Sequence, residues 1–346
     1  MCILRINIKE STMLILGIES SCDETGLALY SEDHGLIAHL VNSQIDLFTE
    51  YGGVIPEIAA RDHSAKIIGI LKQLLKQTDH NLEDINLIAY TAGPGLIGSL
   101  MIGETVAKTI ANVLNIELLP INHLEGHILA PGLEEGGLEP PYLCLLVSGG
   151  HTQIIRCDGY GDYKIIGETI DDACGEAFDK VGKLLNLEYP GGPKVSKLAE
   201  NGDSKRFKFP RAMMKDKNLN FSFSGLKTSV LYALEDLNEE DHADVAASFQ
   251  EAVIDALTIK LMWAVQDTKI HKLVCSGGVA SNKLLRERLK QMAANNNLEV
   301  SYPRMEFCTD NAAMIAYAGF IRKKFKLPTY PTNFARPRWP LGELYD

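Results

Sequence analysis

His123-Leu124-Glu125-Gly126-His127 carries two histidines four residues apart. That spacing sets both imidazoles on one face of a helix, within reach of a single metal ion. A metalloprotease of the His-Glu-x-x-His type needs its glutamate directly after the first histidine, as general base on the metal-bound water. Here Leu124 stands in that place. Glu125 lies roughly 200° around the helix from His123 and points away. The stretch offers a two-histidine metal site without the protease base. Two solvated or capping histidines at a helix start are the alternative reading.

The chemistry-bearing residues need elements to hold them. Leu14 to Ile18 and Gly26 to Tyr30 are apolar strands joined by Glu19-Ser20-Ser21-Cys22-Asp23-Glu24-Thr25. This reads as a β-hairpin presenting carboxylates and hydroxyls at its tip. Apolar residues at helical spacing between Ile55 and Leu75 predict a long amphipathic helix. The buried strand Leu87-Ile88-Ala89-Tyr90 enters a glycine-rich loop, Thr91 to Ser99, and a second helix runs to about Leu114. A strand near Leu118 leads into the histidine helix. A new unit starts at Pro140-Pro141, with a strand from Tyr142 to Val147, Ser148-Gly149-Gly150 at its end, and a return strand from Gln153 to Arg156. Leu273-Val274-Cys275-Ser276-Gly277-Gly278 repeats that pattern. A strand stopping at Ser-Gly-Gly brings backbone N–H groups against an anion or a ribose, because glycine permits close approach. Glycines also end strands for structural reasons alone. Two such copies beside Gly93-Pro94-Gly95 suggest a duplicated α/β architecture around a nucleotide cleft.

With 346 residues the chain suffices for two domains or one large bilobal unit. A net charge of −11 excludes a uniformly basic nucleic-acid binder but not a local basic patch. Seven cysteines, at 2, 22, 144, 157, 174, 275 and 308, form no C-x-x-C pair, and several lie in apolar runs. This fits reduced thiols in a cytoplasmic protein better than a disulfide framework or a zinc finger. No apolar run reaches about 18 residues, so no membrane span is expected. Met13 stands directly before the first strand, which marks residues 1–12 as a candidate N-terminal extension.

The segment from Lys205 to Lys227 differs from the rest. Lys205, Arg206, Lys208, Arg211, Lys215, Lys217 and Lys227 face one acid, Asp216, a local +6 in an acidic chain. Phe207, Phe209, Phe221 and Phe223 are interleaved. Cations for phosphates and aromatics for bases are what single-stranded RNA binding uses. A solvated loop anchored to the core by its phenylalanines is the competing reading. The cluster Arg322-Lys323-Lys324-Phe325-Lys326 reads as a helix end, where cations suit the dipole.

Several strings occur together: Gly17-Ile18-Glu19-Ser20-Ser21-Cys22-Asp23-Glu24-Thr25, Asn122-His123-Leu124-Glu125-Gly126-His127, Leu146-Val147-Ser148-Gly149-Gly150-His151-Thr152, Phe221-Ser222-Phe223-Ser224-Gly225-Leu226-Lys227-Thr228 and Ser276-Gly277-Gly278-Val279-Ala280-Ser281-Asn282. In this order they resemble the bacterial tRNA adenosine threonylcarbamoyltransferase family (TsaD), once labelled O-sialoglycoprotein endopeptidase. The resemblance runs from about Leu14 to Trp339. It implies an α/β, two-lobed fold with duplicated domains, shared with actin-like ATPases, sugar kinases and the 70-kDa chaperones. Residues 13–122 with 318–346 would form the N-terminal lobe, and 123–317 a C-terminal lobe with the metal and nucleotide site. The implied reaction transfers threonylcarbamoyl from threonylcarbamoyl-AMP to the exocyclic amine of the adenosine next to the anticodon, releasing AMP.

Carried over by position, His123, His127 and Asp310 match the family's metal ligands, one divalent ion per chain, Fe(II) ahead of Zn(II). Leu146, Val147, Ser148, Gly149 and Gly150 match the adenylate-binding strand and loop. Asp179, Gly192 and Asn282 match further substrate contacts; read on their own they would be a helix surface charge, a turn residue and an N-cap. Asp23 and Glu24, at the hairpin tip, are the candidates to take the amine proton, against a reading in which the turn binds phosphate or orients a helix. Lys194, after Gly191-Gly192-Pro193, departs from the family's pattern. Implied partners are tRNA, a TsaB-like paralogue and a TsaE-like small ATPase, with no membrane. The helices Glu57–Leu75 and Ser99–Leu114 are the expected paralogue-binding faces. The rivals are a metal-dependent peptidase, an ATP-dependent kinase or ATPase of the same fold, and a nucleotide-binding scaffold.

Overall fold

A computed structural model describes residues 13–215, 217–330 and 334–345. The candidate extension, residues 1–12, lies outside them. Among the described residues, ten strands make two five-stranded sheets. The first contains β1 (Leu14–Glu19), β2 (Glu24–Ser31), β3 (Gly35–Ser43), β4 (Leu87–Gly93) and β5 (Glu117–Asn122), in the order β3-β2-β1-β4-β5. The second contains β6 (Tyr142–Val147), β7 (Thr152–Gly159), β8 (Asp162–Glu168), β9 (Lys272–Ser276) and β10 (Glu299–Ser301), in the order β10-β9-β6-β7-β8. In each, two antiparallel hairpins lead away from a central strand, and two parallel strands pair on its other side. The two sheets thus repeat one topology, which is the duplication expected from the strand-glycine repeats.

The central strands are apolar along most of their length, as strands covered on both faces are. Every residue of β1, β4 and β6 is buried. Helices α1 (Ile45–Thr49), α2 (Pro56–Thr78), α3 (Ile97–Leu114) and α4 (His123–Leu129) accompany the first sheet. Helices α5 (Cys174–Leu184), α6 (Gly191–Ala199), α7 (Ser224–Leu234), α8 (His242–Thr268) and α9 (Lys283–Asn296) accompany the second. α10 (Ala312–Lys324) follows the second sheet in sequence but packs on β1, β2 and β4. The approach is close enough that a Cβ on Gly17 would stand 2.4 Å from the Ala312 carbonyl oxygen. Only glycine on the strand lets the helix settle there.

The basic segment corrects one expectation. Phe209, Phe221 and Phe223 are buried in the core of the second lobe, and Phe207 packs against it half-buried. They are core residues, not platforms for bases. Arg206 pairs with Asp241 and Asp244, and Arg211 with Asp255. Lys260, fully buried on α8, donates to the carbonyls of Met213 and Asn218 and fixes the loop from inside. Lys205, Lys208 and Lys215 remain exposed. Lys194 is accommodated on α6 through an ion pair with Glu188.

Candidate metal centre and nucleotide cleft

A cleft of about 1250 Å³ lies where the first-lobe turns face those of the second. The ends of β1, β4, β5, β6 and β9 build it. β1 stops at Glu19, and the turn to β2 brings Ser21, Cys22, Asp23 and Glu24 to the wall. The turn is tied down on several sides: Ser20 Oγ donates to the Ser99 carbonyl at 2.9 Å, and Leu96 N–H to the Ser21 carbonyl at 2.7 Å. His63, fully buried on α2, bridges Thr25 Oγ1 at 2.7 Å and the Cys22 carbonyl at 3.0 Å. β4 leads into Gly93-Pro94-Gly95. The C-terminal strap crosses here, with Arg336 N–H on the Ala92 carbonyl and Gly95 N–H on the Pro337 carbonyl. Gly93, at φ 152°, has no room for a side chain, since a Cβ would lie 1.9 Å from the Arg336 carbonyl oxygen.

β5 ends at Asn122, which starts α4. Its Oδ1 accepts the Leu124 N–H at 2.9 Å, an N-cap, while its Nδ2 donates to the Trp339 carbonyl at 2.9 Å. The cap sets the first helical turn, so His123 and His127 project together as the spacing requires. Their rings are 4.7 Å apart, edge to face. Asp310, in the loop before α10, closes the set: its Oδ1 is 3.0 Å from His127 Nε2 and 3.4 Å from His123 Nε2. Bonds of about 2.0–2.2 Å to one ion place neighbouring ligand atoms about 3.0–3.6 Å apart; Asp310 stands at that spacing from both imidazoles, and all three ligand atoms lie within 4.8 Å of one another. Two imidazoles and one carboxylate suit Fe(II) or Zn(II).

The electrostatics agree. Burial alone would raise the Asp310 carboxyl, yet the charge and hydrogen bonds of His123 and His127 hold it well below the carboxylate range. Burial opposes charge on His123, but Asp310 and Glu19 raise its pKa well above the usual value. A cation is thus stabilised where a metal would sit. His151, at the next turn, is pushed down to about 4, first by burial and then by the electrostatics of the neighbouring His123 and His127. Glu24 is raised well above its usual range by burial, then by Asp310 and Asp23. Glu125 is turned from the cleft as the spacing demanded. It has no exposed surface and binds Arg322, Tyr163 and Tyr330 on the far side of α4.

Across the cleft, β6 ends in a tight turn in which Ser148 N–H meets the His151 carbonyl at 2.8 Å and Ser148 Oγ accepts the His151 N–H at 3.1 Å. Gly149 and Gly150 are exposed to the cleft with open space beyond their Cα atoms. Leu146 and Val147 are wholly buried in the strand below. Asp179, Gly192 and Asn282 all line the same cleft. Asp179 Oδ1 accepts the N–H groups of Gly191 and Gly192 at 2.8 and 3.2 Å. Burial raises its carboxyl, and those two N–H groups work against the rise. Asn282 caps α9 through Leu285 N–H, and its amide donates to Ser196 and Gln250 at 2.9 and 2.7 Å. Sequence reasoning passed over Glu19, Tyr189 and Gln250. A carboxylate ending a wholly apolar strand was the available signal for the first.

The model for the family described as TsaD, tRNA N6-adenosine threonylcarbamoyltransferase, matches residues 35–317. The chain belongs to this family. Solved structures agree on the fold. Full-length HypF in its phosphate- and nucleotide-bound form superposes with a TM-score of 0.63 at 13% identity, over 92% of this chain and 47% of that one. HypF from T. kodakarensis gives 0.62 at 16%, over 92% and 48%. This chain therefore spans about half the length of those two. Component A of the (R)-2-hydroxyglutaryl-CoA dehydratase of Acidaminococcus fermentans gives 0.52 at 13%, over 88% and 96%. These likenesses establish the two-lobed fold and nothing about substrate. No helix among the described residues is long and apolar enough to cross a membrane.

Proposed function

We propose that the chain transfers the threonylcarbamoyl group of threonylcarbamoyl-AMP to N6 of the adenosine next to the anticodon in tRNA. The observation that carries this reading is one cleft holding His123, Asp310, the Ser148–Gly150 turn and the Asp23–Glu24 tip together. His123, His127 and Asp310 would hold a divalent metal, Fe(II) ahead of Zn(II), which supplies Lewis acidity toward a carbonyl or phosphate oxygen. The backbone N–H groups of Gly149 and Gly150, which have open space before them, would receive the phosphate of the adenylate. Asp179 and Asn282 orient the nucleoside.

In the transfer, adenosine N6 attacks the carbamoyl carbon, the carbon–oxygen bond to the phosphate breaks, and AMP departs with that electron pair. The amine proton goes to a carboxylate. Asp23 and Glu24, at the hairpin tip on the cleft wall, are the candidates to receive it. Exposed Ile68, Ile97, Met101 and Val113 on α2 and α3 support docking of a TsaB-like paralogue there. A TsaE-like ATPase and a cytoplasmic setting complete the reading. The buried, unbridged thiols of Cys144, Cys157, Cys174, Cys275 and Cys308 fit that setting.

The test is transfer of label from threonylcarbamoyl-AMP carrying carbon-labelled threonine to unmodified tRNA, with the purified metal-loaded chain and its partners. Label in tRNA with equimolar AMP is expected. Release of AMP with no label in tRNA under any partner combination would sink the proposal.

A further inference from the structure

Glu19, the last residue of β1, has no exposed surface. Its Oε1 accepts the Ser21 N–H at 2.6 Å. Its Oε2 accepts the Thr91 hydroxyl at 2.6 Å and faces His123 Nδ1 at 3.0 Å. We propose that Glu19 is the positioning residue of the metal centre: it holds the proton on His123 Nδ1, so that Nε2 turns its lone pair toward the point shared with His127 and Asp310. The inference rests on the metal-dependent reading above and concerns this chain's own side chains.

The donor and acceptor inventory carries the argument. A neutral imidazole has one N–H and one lone pair. Both ring nitrogens face carboxylates, Nδ1 facing Glu19 and Nε2 facing Asp310, so with a metal taking the Nε2 lone pair the one N–H falls to the side of Glu19. The ring's other nitrogen is then the ligand, and it is the one 3.4 Å from Asp310 Oδ1. Ser21 N–H and Thr91 O–H already donate to the same carboxylate. A glutamine would aim an NH₂ group at one of these donors, so the site calls for glutamate. The two histidines are unequal in this respect. His127 Nδ1 is buried without a hydrogen-bond partner among the described residues, so only Asp310 orients its ring. A carboxylate behind a metal-bound histidine fixes its tautomer and raises its basicity. The competing role for Glu19 is purely structural, closing the hairpin turn through Ser21 and Thr91.

The experiment uses the full chain with Zn(II) in competition with a chelator. Glu19→Gln is expected to lose ten- to a hundredfold in Zn(II) affinity. Thr91→Val removes a hydrogen bond of the turn but leaves the carboxylate on His123, and should keep an affinity near wild type. Histidine ¹⁵N–¹H correlation of the wild-type Zn(II) form should place the His123 proton on Nδ1 and the metal on Nε2. That measurement stands even if Glu19→Gln fails to fold. Wild-type affinity in Glu19→Gln, an equal loss in Thr91→Val, or metal on Nδ1 would each overturn the proposal.

Discussion

Arg322 Nη1 lies 3.1 and 3.2 Å from the two oxygens of Glu125, and neither side chain reaches solvent. Glu125 comes from the histidine helix and Arg322 from α10. Tyr163 of the second sheet also donates to Glu125, at 3.1 Å. One carboxylate therefore gathers the metal-bearing helix, the helix behind the first sheet and a strand of the second sheet.

Removing one partner of such a pair strands a buried charge. Glu125→Ala and Arg322→Ala should each lose about 3–5 kcal/mol of stability, measured by urea unfolding. Glu125→Gln, kept cold enough to remain folded, should retain bound metal and transferase turnover. Complete loss of turnover in a folded, metal-loaded Glu125→Gln would mean that this glutamate does more than tie the helices to the second sheet.

His123→Ala, His127→Ala and Asp310→Ala should each lower metal content while circular dichroism stays native. Metal analysis on gel-filtered protein is the check. A full complement of metal in all three would remove the site.

Asp179→Ala and Asn282→Ala should weaken binding of a stable threonylcarbamoyl-AMP analogue by about 1–3 kcal/mol each, read by calorimetry. Asn282→Ala should also cost about 1 kcal/mol of stability, because its side chain caps α9. Unchanged affinity in both variants would place the nucleotide elsewhere.

The basic segment divides into two classes. Neutralising exposed Lys205, Lys208 and Lys215 should weaken tRNA binding and flatten its salt dependence, by about 0.7–0.9 in the log–log slope for each phosphate no longer neutralised. Phe221→Ala and Phe223→Ala should instead lose about 3–5 kcal/mol of stability. A salt slope unchanged in the triple lysine variant would leave the segment as a structural loop.

Burial lowers the pKa of His63, which bridges Thr25 and the Cys22 carbonyl as a neutral ring. The unfolded chain then binds the extra proton first, so this contribution is present above the unfolded value near 6.5 and fades as pH falls below it. The difference in unfolding free energy between wild type and His63→Gln should shrink between pH 7.5 and 5. A constant difference across that range would mean that the ring does not titrate with unfolding.

Much of this was legible because it is periodic or local. The i, i+4 histidines, the hairpin at Glu19–Thr25 and the repeated strand-glycine ends each depend on a few adjacent residues, and the structure holds them as read. Asp310 entered only through the family resemblance, since nothing in its own neighbourhood marks a ligand. The basic segment left two readings open, and for its phenylalanines the structure takes the anchored-loop one. Composition registers charge and aromatics, but whether Phe221 faces water or core is decided by α8, which is distant in sequence. Glu19 was quoted within its motif yet given no role. Its partners, Thr91 and His123, lie 72 and 104 residues away.

The repeated topology has a further consequence. β1 and β6 occupy the same place in their sheets, yet they end in unlike turns. The first is rich in carboxylates; the second is a bare run of serine and glycine. Duplication has supplied two copies of one jaw, and divergence has given them opposite electrical character. One wall thus presents acidic side chains beside the candidate metal ligands, and the other presents backbone with open space before it. The scaffold is near-symmetric, but the two turns that face each other across the slot are not.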